Sequence, residues 1–292
     1  MIRKIIKDSV KILLSRPKLV RLAFLFTFWH TIFYTYLIIY YFNEIIKTKY
    51  EVGVSLSDAL KYLFNKIQEF DIIGVIITFF IIVILWNFLL YPIGEATLVY
   101  GIKSEENKTL SYVTKGFKKF FAMFEFGALS FAFGFYTFIT CIYRVWKMDI
   151  LNNIFMQILM SIRWVIVLFA TIFRPYTKYY MLKDGCRLFP ALQKSVLLAF
   201  NNIGLTIKAI IFEIFLRIRF VINALIVVII PFVLVYTASY FKIMDNPSIE
   251  IGIRIVTGML LILVAYINGM VDLFFENYWL KIFEYAETKM EE

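Results

Sequence analysis

The run from Gly204 to Phe241, GLTIKAIIFEIFLRIRFVINALIVVIIPFVLVYTASYF, is apolar almost throughout yet carries Glu213, Arg217 and Arg219. As one helix it would extend roughly 57 Å at about 1.5 Å per residue, and the hydrocarbon core of a bilayer is about 30 Å thick. Such a helix is too long to be only a membrane span. Its second part, Phe220 to Tyr240, has no charge in 21 residues and is enough to cross, which puts the three charges at or just below one membrane face. Neighbouring helices then have to be placed at matching depth.

The remaining sequence fits the same setting. An apolar fraction of 61%, with 32 Phe and 19 Tyr, exceeds what soluble domains carry, roughly 45–50%. At 292 residues the chain has room for one bundle of about six spans with their connections. A net charge of +10 would suit nucleic acid, but the basic residues sit in short clusters beside apolar runs, where anionic headgroups and insertion orientation account for them. Cys141 and Cys186 fall on opposite predicted membrane faces, so they read as packing residues and no disulfide is expected.

Along the chain, apolar residues three and four apart make Met1 to Pro17 an amphipathic helix on the membrane surface rather than a signal peptide. A first span follows from Arg21 to Phe42 and holds the lone histidine, His30, to which no role is assigned. Val54 to Phe70, capped by Ser55 or Ser57, repeats the amphipathic pattern on the other face. The second span begins near Ile72 and overruns through Pro92 and Glu95, with Gly101 as its expected terminator. Thr109 to Phe121 is a third amphipathic stretch and leads into a span from Ala122 to Tyr143. The fourth span, Leu151 to Phe173, contains the intramembrane charge Arg163. Asp184-Gly185 is a helix stop, Phe189 to Asn202 another amphipathic helix, and Ile251 to Met270 the sixth span, continuing through Asp272 and Glu276.

Twenty of the 31 lysines and arginines fall on the side of the chain ends and seven on the other, which places both termini in the cytoplasm of a multi-pass plasma-membrane protein. Three segments also line up: KDSVKILLSRPKLVRLAFLF from Lys7, TKGFKKFFAMFEFGALSFAF from Thr114 and QKSVLLAFNNIGLTIKAIIF from Gln193. Each is an amphipathic helix feeding a span, and each is followed by a longer span. The single integral membrane domain 1–292 is therefore read as three units, 1–107, 108–186 and 187–292, in an all-α polytopic bundle of six transmembrane helices.

At Arg174-Pro175-Tyr176, Asp184-Gly185, Ala191-Leu192-Gln193-Lys194-Ser195 and Asn201-Asn202, the chain resembles the prokaryotic six-helix membrane families grouped with the glycerophosphoryl diester phosphodiesterase membrane domain. The likeness covers the middle and last thirds and implies six spans with cytoplasmic amphipathic helices. In that group a soluble phosphodiesterase barrel can follow the membrane domain. With the sequence ending at Glu292 soon after the sixth helix, no such barrel is expected and the activity is not carried over.

No Gly-rich phosphate loop, Cys/His metal cluster or Ser/His/Asp set stands in the sequence, so no cofactor or metal is expected. What remains is a charged layer of Glu95, Glu125, Arg174, Glu213, Arg217, Arg219, Asp272 and Glu276. Glu213 and Arg217 form a favourable i,i+4 pair, and Asp272 or Glu276 is expected to meet an arginine of the fifth helix. The layer reads as ion pairs locking the bundle, as a polar cavity for a lipid headgroup or small anionic solute, or as a two-carboxylate metal site at Asp272 and Glu276. The expected role is non-catalytic organisation of lipid or partner proteins at the cytoplasmic face, with membrane lipids as partners. The alternative is a transporter for a lipid or small anionic solute, for which Pro231 and Arg163 are the signs.

Overall fold

The computed structural model describes residues 2–29, 31, 89–104, 109–147, 153–218 and 247–291, and over these the chain is helical with short connections. Helix α1 spans Ile2–Ser15 and α2 takes in residues 17–29. Then come α3, Tyr91–Lys103; α4, Thr109–Lys118; α5, Phe120–Ala132; and α6, Phe135–Lys147. They are followed by α7, Ile154–Phe173; α8, Thr177–Lys183; α9, Leu188–Asn201; α10, Ile203–Ile218; and α11, Pro247–Glu291. Among the described residues three stretches are long and apolar enough to cross a membrane: Phe120–Tyr143, Ile154–Phe173 and Gly258–Met290. A fourth arises if α9 and α10, bent by 98° at Asn202, are taken as one broken span. The first and second expected spans, the Val54 to Phe70 helix, His30, Pro231 and the charge-free Phe220 to Tyr240 lie largely or wholly outside the described residues.

Several boundaries are where local chemistry puts them. Asn153 caps α7 by accepting the Phe155 N–H at 2.9 Å. Asp184 and Gly185 end α8, and Gly185 takes φ 68°, the left-handed geometry that glycine adopts without steric cost. The bend at Asn202 sets α9 almost perpendicular to α10.

One expectation is corrected. Gly101 does not end its helix, since α3 runs on to Lys103. It instead packs closely, since a Cβ there would stand 2.4 Å from Leu19 Cδ2 and displace that side chain. The expected span Ala122 to Tyr143 falls within the candidate span Phe120–Tyr143, which is interrupted at Phe133 and Gly134 between α5 and α6. A Cβ on Gly134 would fall 2.7 Å from the Ser130 carbonyl oxygen, so the break is built around a residue with no side chain.

The chain divides into two compact units. Unit 1 comprises Met1–Val20, Pro92–Ile226 and Val271–Glu292, and unit 2 comprises Arg21–Tyr91 and Val227–Met270. In unit 2, α2 and α11 cross backbone to backbone: a Cβ on Gly269 would lie 2.6 Å from the Phe24 nitrogen and 2.7 Å from its Cα. Ala23 and Ala265 are fully buried beside this crossing, the small-residue pattern by which membrane helices approach closely. Asn268 Nδ2 donates to Thr31 Oγ1 at 3.1 Å, and Phe24 and Tyr266 pack with ring centroids 5.8 Å apart.

In unit 1, Arg16 sits between α1 and α2 and turns back onto the end of α3. Its Nη1 donates to the carbonyls of Gly101 at 2.7 Å, Ile102 at 3.3 Å and Ser104 at 2.7 Å. The last carbonyls of a helix have no intrahelical donors, and a guanidinium suits them. Replacing Arg16 with glutamine is expected to cost about 1.5–3 kcal/mol, the range for hydrogen bonds to a charged group. Thermal unfolding in detergent checks it, with Arg16→Lys, which keeps the charge but not the fork, falling between.

Candidate functional site

The core of unit 1 is aromatic. Tyr176, Tyr179, Tyr278 and Phe283 are fully buried, with Tyr179 stacked on Phe283 at 5.4 Å between centroids and Tyr180 edge-on to the same ring at 4.9 Å. Their polar ends are satisfied. The Tyr176 hydroxyl bonds Thr206 Oγ1 at 2.9 Å, and the Tyr278 hydroxyl donates to the Ala209 carbonyl at 3.2 Å.

Lys178 from α8 lies within this core. Its Nζ pairs with Glu276 Oε1 of α11 and stands 3.8 Å from Glu95 Oε1 of α3. The three side chains are 13%, 10% and 18% exposed. The Tyr179 hydroxyl donates to the Glu276 carbonyl at 3.2 Å and faces Glu276 Oε2 at 3.5 Å. Burial alone would push the lysine pKa down, but Glu276 and Glu95 outweigh it, and the ammonium is held above its ordinary value. Burial, then the charges of Glu276, Glu95 and Glu213, keep the Tyr179 phenol well above its usual range. An amine activated for nucleophilic or Schiff-base work is shifted the opposite way. Two carboxylates around a firmly protonated lysine lock three helices together.

A second group adjoins on α10. Glu213 accepts from Arg217 Nε at 2.7 Å through one oxygen and from Trp279 Nε1 at 2.8 Å through the other. The Arg217 guanidinium lies over the Phe275 ring, 4.5 Å from its centroid, a cation–π contact. Sequence spacing anticipated the Glu213–Arg217 pair.

Of the other expected site residues, Asp272 is half-buried one turn before Glu276 on α11, and Arg219 lies outside the described residues. Glu276 pairs with Lys178 and Arg217 with Glu213. Glu125 is exposed on α5 and takes no part in the ion pairs among the described residues. Arg174 Nη1 donates to the Ser130 carbonyl at 3.2 Å, and Arg163 Nη2 to the Ala132 carbonyl at 3.4 Å. Both arginines therefore serve carbonyls beside the α5–α6 break, and Thr137 Oγ1 donates to a third, that of Phe131. The charged residues thus gather in three groups: Glu95 and Glu276 around Lys178, Glu213 with Arg217 beside them, and Arg174 with Arg163 at the break.

Sequence reading missed Lys178, Tyr179, Trp279 and Arg16. The available signal was a proline three residues before both Glu95 and Lys178, Pro92 and Pro175. Among the described residues no group of three or more His, Cys, Asp or Glu is placed to hold a metal ion, and both cysteines are free. No protein-family model, no curated protein and no solved structure matches the chain.

Proposed function

We propose that the chain is a non-catalytic multi-pass protein of the plasma membrane that organises anionic lipid, or proteins bound to it, at the cytoplasmic face. In this reading it has six spans with both termini inside, and the likeness to the glycerophosphoryl diester phosphodiesterase membrane-domain group is one of architecture. The observation that carries it is the two-sided character of α1, α4 and α9. Each buries one face in unit 1 and exposes apolar residues beside lysines: Leu14 with Lys7 and Lys11, Phe117 with Lys115 and Lys118, and Phe200 and Leu197 with Lys194. That combination suits a headgroup interface, where each basic residue contributes about 1 kcal/mol toward anionic lipid.

The test is native mass spectrometry of protein released from nanodiscs holding equal phosphatidylglycerol and phosphatidylcholine. Phosphatidylglycerol should be retained preferentially, and Lys7→Gln with Lys11→Gln and Lys194→Gln should reduce that preference several-fold. Equal retention of both lipids by the unaltered protein would sink the proposal. The topology is checked in a Cys141→Ser, Cys186→Ser background with single cysteines at Lys49 and Lys108. A membrane-impermeant thiol reagent added outside should modify the first and miss the second.

A second reading, a transporter for a lipid or small anionic solute, is favoured by the α5–α6 break, where Arg163 and Arg174 reach backbone carbonyls within an apolar run. Uptake of inorganic phosphate or flux of labelled lipid in proteoliposomes, abolished by Arg163→Gln, would favour it over the first.

A further inference from the structure

The three hairpin units bring equivalent positions into contact. In register, Pro92-Ile93-Gly94-Glu95, Pro175-Tyr176-Thr177-Lys178 and Leu273-Phe274-Phe275-Glu276 end on the three residues of the buried charge cluster. The four residues after each, 96–99, 179–182 and 277–280, are all buried. One position taken from three helices meets at one point only if the helices stand around a common axis at the same depth.

The surface helices repeat this relation independently. In the alignment KDSV, TKGF and QKSV, one small residue recurs as Ser9, Gly116 and Ser195, and each is buried. Gly116 of the second unit lies against the first, where a Cβ would meet Thr97 Oγ1 at 2.2 Å and the Ile93 carbonyl at 2.8 Å. Ser195 of the third unit donates to the Phe173 carbonyl of the second. Ser9 of the first unit accepts from Asn277 Nδ2 of the third at 3.1 Å. Each surface helix leans on the preceding unit, and the first closes on the last. A linear array would leave that final contact unmade.

Contacts inside a unit recur as well. Arg16 and Asn202 occupy the same register, and each donates to carbonyls in the later part of its own unit's long helix, Arg16 at Gly101 to Ser104 and Asn202 at Ala286, 3.4 Å away.

We propose that the cytoplasmic-type helices of this chain form a closed ring of three related units, with Glu95, Lys178 and Glu276 as one position met three times on its axis. The ring requires one cation and two carboxylates there, and which unit supplies the cation is interchangeable. The test uses the full chain in detergent, read by its thermal midpoint and its monodispersity on size exclusion. Lys178→Glu, with three carboxylates on the axis, should lower the midpoint sharply or prevent folding. Glu95→Lys/Lys178→Glu and Lys178→Glu/Glu276→Lys each move the lysine to another unit, and both should come within a few degrees of the unaltered protein. Rescue by the Glu276 exchange alone would mean an ordinary ion pair with Glu95 as a bystander and would overturn the proposal, as would rescue by neither or a harmless Lys178→Glu. If Lys178→Glu does not fold, the two exchanges decide by themselves.

Discussion

Lys178→Met is expected to destabilise the chain by about 3–5 kcal/mol, the usual cost of removing one partner from a buried ion pair. The substitution keeps an unbranched side chain only one heavy atom shorter, so most of the loss is electrostatic. It leaves Glu276 and Glu95 facing each other with 10% and 18% of their side chains exposed and no cation between them. Adding Glu276→Gln should recover a large part of the loss, because a neutral amide still accepts from Tyr179 and no longer repels Glu95. Thermal unfolding of the single and double variants measures the coupling. A Lys178→Met protein as stable as the original would show the cluster to be idle.

The lysine's contribution has a defined pH window. The folded Lys178 pKa lies above its ordinary 10.5, so its contribution is fully present below that value and fades only as pH rises through the higher folded value. The stability assigned to it should therefore not change between neutral pH and about pH 9.

Gly269→Val is the second large effect. Overpacking usually costs about 1–3 kcal/mol, and here the loss should reach or exceed the top of that range, because the atoms struck are Phe24 N and Cα and the Ala23 carbonyl carbon. Backbone cannot rotate aside as a side chain can, so α2 and α11 would have to separate. Gly258 on the same helix is the control, with nothing within 4 Å of its added Cβ. Gly258→Ala should be neutral or gain about 0.5–1 kcal/mol from helix propensity. A Gly269→Val protein that unfolds with the Gly258→Ala one would show that the crossing is loose.

Features written into a few consecutive residues were legible in the sequence. Asp184-Gly185 after an apolar run, the spacing in α1 and the Glu213–Arg217 pair each depend on neighbours within one or two helical turns. Lys178 did not announce itself, because its meaning lies in Glu95 and Glu276, which only packing brings near. The α5–α6 break was hidden for a related reason. Phe133 and Gly134 continue an apolar pattern, and what satisfies the neighbouring carbonyls comes from Arg163 and Arg174 on a later segment. Gly101 was misread because glycine serves both to stop a helix and to admit a neighbour, and the sequence does not distinguish the two.

Trp279 offers a consequence of a different kind. Its indole is 7% exposed, bonded through Nε1 to Glu213 and set edge-on to Tyr176 with centroids 5.9 Å apart. A shielded indole beside a fixed carboxylate emits at a wavelength set by that surrounding, and tyrosines at such distances pass excitation to it. Any event that draws α8, α10 and α11 apart changes both properties together. With the other four tryptophans replaced by phenylalanine, Trp279 becomes an optical gauge of whether the inner helices are seated, with no dye or tag attached.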